Sequence, residues 1–309
     1  MTELIQQDTV LIDWQTDFTA WLQDRGSSAK TIAAYRSDLA RYMDWFRQVN
    51  RQAFSLDLLT SVDLRAYRAH ALQVEQVKPA TWNRRRAALG MLCRYARQIG
   101  AISYDPLAGV QPAEQVKAPP RWLVRSDQQR ILRQLERSVN AARTPAARVQ
   151  ALRDQAMVLL MLHAGLREGE IVALDWGAIN VSPRSGRIVV RRGKGDKRRE
   201  IPLSAEVRRA LATWSAEAQS GQSGGPVFSG KNSDRLTTRQ VQRRVSEIGR
   251  QADVEVTPHQ LRHSFAKRLV DERQPLTLVQ DLLGHSRLDT TAIYVRPGWE
   301  DFAAAVENL

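Results

Sequence analysis

The sequence of 309 residues predicts a mainly α-helical protein with one small β-sheet, divided into two domains. Three observations carry this expectation. Apolar residues recur at helical spacing through the first hundred positions. A stretch holding Pro106, Pro112, Pro119 and Pro120 then interrupts the helical patterns. Beyond it, apolar segments of strand type lie on either side of a Gly-Lys-Gly turn.

The first domain spans residues 1–113. Val10, Leu11, Trp14, Phe18, Trp21 and Leu22 define its first helix, which Gly26 ends. Ser28 is placed to cap a second helix, whose apolar positions include Ile32, Tyr35, Leu39, Tyr42, Met43 and Phe46. A shorter third begins at Ser61 and runs through Leu64, Tyr67 and Leu72. Pro79 suits the first turn of a fourth, continuing through Trp82, Leu89, Leu92, Tyr95 and Ile99 to Gly100. Four such helices make a compact bundle with the aromatic side chains as its core. The fourth also carries Lys78, Arg84, Arg85, Arg86, Arg94 and Arg97. A charge run is ordinarily a solvated face. In a DNA-binding protein it contacts phosphate, with Arg84, Arg85 and Arg86 as the candidates here.

Residues 114–121, with Lys117-Ala118-Pro119-Pro120-Arg121, form a linker to the second domain, 122–309. That domain opens with helices from Ser126 to about Val139 and from about Arg148 to His163. Strands Arg187–Arg191 and Arg199–Leu203 then flank the turn Gly193-Lys194-Gly195-Asp196-Lys197. Helices resume at Ser204 and continue to the end, apart from an exposed Gly/Ser loop at Ser220–Gly225. There is no internal repeat.

The net charge is +13 and the isoelectric point about 10.5, which points to a polyanionic partner, by default nucleic acid. The charge is uneven. Residues 1–113 hold 14 basic and 11 acidic side chains, and the remainder hold 32 and 22, so the second domain is the main electrostatic footprint. Cys93 is the one cysteine, which excludes an internal disulfide, and its apolar neighbours place it in a core. No segment approaches the roughly 20 apolar residues of a membrane span. The opening Met-Thr-Glu-Leu-Ile-Gln-Gln-Asp lacks the basic start and apolar core of a signal peptide, so a cytoplasmic protein with no membrane contact is expected.

Six polar residues of the second domain carry the chemistry. His259 and Arg262 are three apart at the start of a helix after Pro258, so they share a face near free N–H groups that favour an anion. Arg167 follows Gly165, whose conformational freedom allows the preceding apolar helix to end and a new turn to begin. A guanidinium there can grip two phosphate oxygens, and Glu170, three residues on, can orient it. His263, beside Arg262, is read as pointing elsewhere and as structural. Lys194 sits in a turn that lacks P-loop spacing; as an isolated feature it is a solvated hairpin tip, and beside DNA it could donate a proton. Gly284 ends a helix carrying Leu278, Leu282 and Leu283, His285 follows, and Tyr294 lies on the next helix. Tyr294 is the only tyrosine after Tyr104. Each residue alone has a bland explanation; their joint occurrence in this order does not.

The patterns Gly-Leu-Arg-x-x-Glu, Gly-Lys-Gly-x-Lys, His-x-Leu-Arg-His, Leu-Leu-Gly-His and Thr-Thr-x-x-Tyr resemble those of the tyrosine recombinases, the phage integrase family, and most of all its Xer-type and transposon-borne members. Val295-Arg296 departs from the Thr-His that often follows the tyrosine in Xer-type members. The resemblance implies that the helical first domain is a core-binding, SAM-like module and the second a mixed α/β catalytic domain. It implies a site-specific DNA recombinase working through a 3′-phosphotyrosyl intermediate, with Tyr294 as nucleophile and Arg167 and Arg262 neutralising phosphate charge. Lys194 would protonate the leaving 5′ oxygen, with Lys197 as the alternative; His259 would accept the tyrosine proton or bind the phosphate; His285 would position it. Neither ATP nor a metal would be required, and no cofactor is expected. The implied partner is a double-stranded recombination site, held by a homo-oligomer that is tetrameric in the synapse or by a hetero-oligomer with a second recombinase.

Trp299, Phe302, Val306 and Leu309 make an apolar stripe after Pro297-Gly298. A helix at 299–309 could fold back on its own core or dock on a neighbouring protomer. Two other functions compete with recombination: a topoisomerase using the same covalent link, and a DNA-binding regulator that has lost chemistry. The latter should lack one of the six residues.

Overall fold

The computed structural model describes residues 14–115, 121–191, 198–218, 224–230, 235–284 and 306–307. It divides into two compact units, Met1–Lys117 and Ala118–Leu309.

The first unit contains α1 (Trp14–Asp24), α2 (Ala29–Asn50), α3 (Ser61–Ala69) and α4 (Pro79–Gln98), with one π turn (His70–Val74) continuing α3. The starts follow the local chemistry of the sequence. Ser28 accepts a hydrogen bond from Thr31 N, Thr60 accepts from Asp63 N, and Pro79 occupies the first turn of α4, where a missing N–H costs nothing. Tyr42, Tyr67 and Trp82 are fully buried at the centre. Tyr67 packs edge-on against both of the others at ring separations of 5.2 and 6.1 Å, a favoured aromatic geometry. Cys93 is buried in this core, and burial pushes its thiol up to about 12, so it behaves as a small apolar residue.

The arginines of α4 depart from a uniformly basic outer face. Arg85 lies inside the bundle with 4% of its side chain exposed, paired with Glu75 at 2.9 Å and donating to the Tyr67 hydroxyl at 3.1 Å. Arg84, 53% exposed, makes a two-point pair with buried Asp38, both bonds at 2.8 Å. Arg86 Nε donates to Val110 O, while Trp82 and Arg68 donate to Gln111 O, and Asn83 exchanges two hydrogen bonds with Ala113. The chain at 110–113 is thus strapped along α4 by the residues that face it. The expectation that Arg85 contacts phosphate is corrected: its guanidinium is committed to the core.

The second unit is built around α6 (Pro145–His163). Residues Ala156 through Leu162 are all buried, as befits a helix that is apolar on every side. Packed against it are α5 (Arg125–Asn140), α7 (Glu168–Ala173), α8 (Ala205–Ala218) and α10 (Pro258–Asp271). The described residues of this unit also form α9 (Thr238–Gln251) and α11 (Leu276–Leu283). A three-stranded antiparallel sheet runs in the order β1 (Ile179–Val181), β2 (Gly186–Arg191), β3 (Arg198–Pro202). Ile188 pairs with Ile179 on one side and Ile201 on the other, placing apolar residues on the buried face. The two longer strands match the sequence expectation; β1, three residues long, was not foreseen. Among the described residues, no helix is long and apolar enough to cross a membrane.

Replacing Arg85 by methionine is expected to lower stability by about 2 kcal/mol, because Glu75 and Tyr67 lose their buried partner. Arg94→Ala, on the exposed side of the same helix, should stay within about 0.5 kcal/mol. Urea unfolding of the two variants measures the contrast.

Candidate active site

Four helix ends meet where Arg167, Glu170, His259 and Arg262 lie. Gly165, at φ +66°, turns the chain out of α6 in a conformation that side-chain-bearing residues rarely adopt. Its missing Cβ would also sit 2.4 Å from the Phe265 ring, so glycine is required twice over. Arg167 is the N-cap of α7, and its backbone N–H donates to Glu170 Oε2 at 2.8 Å. At the start of α10, Thr257 and Gln260 cap each other's backbone N–H groups and Pro258 fills the first turn. This fixes His259 in the first turn and Arg262 one turn further in.

Glu170 is the centre of the arrangement. Its Oε1 accepts from Arg167 Nη1 and Arg199 Nη1, both at 2.9 Å, and its Oε2 accepts from Arg199 Nη2 at 2.8 Å. Arg262 Nη1 stands 3.7 Å from Oε2. Burial alone would raise the pKa of this carboxyl, but the hydrogen bonds and charge of Arg199, the Arg167 N–H and the charge of Arg262 hold it down at about 2. Three guanidinium groups around one carboxylate leave the site strongly cationic.

Arg262 is 2% exposed and donates to Gly165 O, just past the end of α6, and to Leu283 O at the end of α11. Arg167 is the more accessible of the predicted pair, with 32% of its side chain exposed. Burial, then the charges of Arg262 and Arg167, lower the pKa of His259. Its imidazole is therefore neutral at pH 7, the form that can accept a proton.

The structure thus brings Arg167, His259 and Arg262 together, with Glu170 oriented as expected. Lys194, Lys197, His285 and Tyr294 lie outside the described residues, as does the 299–309 segment apart from Val306 and Glu307, which are exposed. Two residues escaped the sequence reading. His263 does not point away from the site: one helical turn from His259, its ring meets that imidazole edge-on at 4.4 Å. Burial, His259 and Arg262 lower its pKa to about 4. Arg199 enters the sequence reading only as the first residue of an expected strand, although its alternation with buried Ile201 and Leu203 puts it on the inward face. Among the described residues, no group of three His, Cys, Asp or Glu side chains could hold a metal ion.

A cationic cluster of this make-up, on a helical domain with a small antiparallel sheet, agrees with the resemblance to the tyrosine recombinases. The model of the phage integrase family matches residues 129–299, and that of the phage integrase N-terminal SAM-like domain matches 16–100. The chain is 33% identical over 300 residues to tyrosine recombinase XerC of Azotobacter vinelandii, covering 95% of each. It is likewise 33% identical to XerC of Chromohalobacter salexigens, over 91% of this chain and 90% of the other. The crystal structure of the XerH site-specific recombinase bound to palindromic difH substrate, a post-cleavage complex, shares the fold with a TM-score of 0.73 at 22% identity, over 93% of this chain and 84% of that one. The chain belongs to the phage integrase family and is an enzyme of DNA strand cleavage and rejoining.

The histidine pair makes stability depend on pH. For His263 the folded pKa of about 4 lies below the ordinary 6.5, so on acidification the unfolded chain takes up the proton first. Its share of stability is complete above pH 6.5 and is lost as pH falls toward 4. Glu170 acts in a lower window, its share fading between the ordinary 4.5 and about 2. Thermal unfolding of His263→Phe should show a flatter dependence between pH 6.5 and 4 than the parent; an unchanged slope would assign the effect elsewhere.

Proposed function

We propose that the chain cuts and rejoins double-stranded DNA at a specific recombination site, with Tyr294 as the nucleophile. One observation carries this reading: Arg167 and Arg262, from distant parts of the sequence, converge on a single carboxylate beside a neutral histidine. Relatives named as tyrosine recombinases and a similar fold solved on recombination-site DNA support it.

The Tyr294 phenol oxygen attacks a backbone phosphorus and passes its proton to His259. Charge gathering on the non-bridging oxygens is met by Arg167 and Arg262, whose positions are set before the reaction begins. The bond to the 5′ oxygen breaks, and Lys194 supplies that oxygen's proton, with Lys197 of the same turn as the alternative donor. His285 steadies the phosphate. The 3′-phosphotyrosyl bond conserves the energy of the broken linkage, so a 5′-hydroxyl from a second strand can reverse the attack and complete the exchange. Residues 1–113 form a core-binding module, 114–121 a linker and 122–309 the catalytic domain. Arg84, half exposed on α4, and Lys197 contact phosphate, whereas Arg86 is committed to Val110 O. Four protomers, or two with two of a second recombinase, assemble on DNA in the cytoplasm, linked through docking of the 299–309 helix on a neighbour.

A nicked suicide substrate tests the chemistry. Tyr294→Phe is expected to abolish covalent protein–DNA adducts while leaving binding intact; adducts formed by this variant would remove Tyr294 from the role. Arg167→Ala should slow cleavage by about 100- to 1,000-fold, the scale of losing a pre-set charge donor, with affinity changed less than about fivefold. Equal losses in both would make Arg167 an anchor only.

A further inference from the structure

We propose that Arg199 is a positioning residue for strand cleavage: by occupying both oxygens of Glu170 it keeps that carboxylate from neutralising Arg262 and fixes the plane in which Arg167 is held. This deepens the recombinase reading and rests on it.

The geometry is specific to a guanidinium. Arg199 reaches from β3 and places Nη1 and Nη2 on the two Glu170 oxygens at 2.9 and 2.8 Å, while its Nε donates to Leu282 O at 2.9 Å. Its side chain is 11% exposed, so it stands behind the site and not at its mouth. Space for the group is made by Gly284. A Cβ there would approach Arg199 Nη1 to 2.9 Å and Cδ to 3.1 Å, and the residue adopts φ +60°. One side chain therefore ties together β3, the first turn of α7 and the last turn of α11. The next carbonyl along α11, Leu283 O, is the one that holds Arg262.

The electrostatic consequence follows from competition. Glu170 Oε2 lies 3.7 Å from Arg262 Nη1, beyond hydrogen-bond contact, while its closest bonds go to Arg199 and Arg167. Without Arg199 the carboxylate has two oxygens short of donors and a guanidinium within reach. A closer Glu170–Arg262 pair would oppose phosphate binding to Arg262 and cancel part of its charge. Arg199 also adds a positive charge of its own. Lysine would retain that charge but, as a single point donor, could not serve both oxygens and the Leu282 carbonyl.

The experiment compares the full chain with Arg199→Lys and Arg199→Met, using two readouts. The Glu170 carboxyl is followed by carbon-13 titration without DNA; it should move up toward the ordinary carboxylate value in both variants, further in Arg199→Met. Single-turnover cleavage of the nicked substrate should fall about 100-fold in Arg199→Met, the cost of slight misplacement of reacting groups, with DNA affinity within about threefold. Arg199→Lys should recover part of the rate. A folded variant in which Glu170 titrates as in the parent, or which cleaves at the parental rate, overturns the proposal. So do parallel losses of affinity and cleavage. If Arg199→Met does not fold, Arg199→Lys supplies both readouts. If the parent forms no adduct, the recombinase reading fails while the Glu170 titration still decides whether Arg199 positions this cluster.

Discussion

The second unit is organised around one carboxylate shared by arginines from three parts of the chain. Guanidinium groups gathered this closely repel one another, and each gives up water to enter the interior. Glu170 makes the gathering tolerable, and its low pKa is the measure of how strongly the arginines hold it charged. Such buried pairs add little to net stability, since desolvation offsets most of the attraction. What Glu170 supplies is position: Arg167 and Arg199 are oriented by its two oxygens, while Arg262, 3.7 Å away, is held by backbone carbonyls.

The scaffold for this cluster is a set of helix termini. The end of α11 leaves carbonyls without intrahelical partners, and Arg262 takes Leu283 O there together with Gly165 O, just past the end of α6. Arg268 does the same at Leu162 O. A cation at a helix C-terminus is also favoured by the local dipole, so one bond serves both the helix and the site. The start of α10 is fixed by a reciprocal cap between Thr257 and Gln260, and that of α7 by the Glu170 carboxylate accepting the Arg167 N–H. Local stop and start signals, short-range by nature, thus assemble a site from segments far apart in sequence.

This explains what could be read in advance. Caps and breaks are local, so the boundaries at Ser28, Pro79, Gly165, Pro258 and Gly284 were visible, and with them Arg167, Glu170, His259 and Arg262. Side-chain direction was harder. Three successive arginines on α4 cannot all face outward, and Arg85, three residues after buried Trp82 and four before buried Leu89, falls on the core line. The helical period places it inside in spite of its charge. The same holds for Arg199, whose place in a strand alternating with Ile201 and Leu203 marks it as inward, and for His263, four residues from His259. No sequence pattern announces that Arg199 finds Glu170, because that pairing depends on how β3 crosses α7.

A count of basic residues therefore overstates the surface available to a polyanion. Salt dependence of DNA binding scales with phosphates neutralised, and a guanidinium already satisfied by protein releases no counterion from DNA. In the first unit Arg85 is internal and Arg86 holds the 110–113 strap, whereas Arg84, although paired with Asp38, stays exposed, as do Lys78 at the start of α4 and Arg94 and Arg97 along it. In the second, Arg199 is likewise turned inward, behind Arg167 and Arg262. The arginines divide into those that build the protein and those left to meet a phosphate, and the division follows helix and strand period, not charge density. Net charge identifies the class of partner; which cations touch it is decided by the carboxylates and carbonyls that have already claimed the rest.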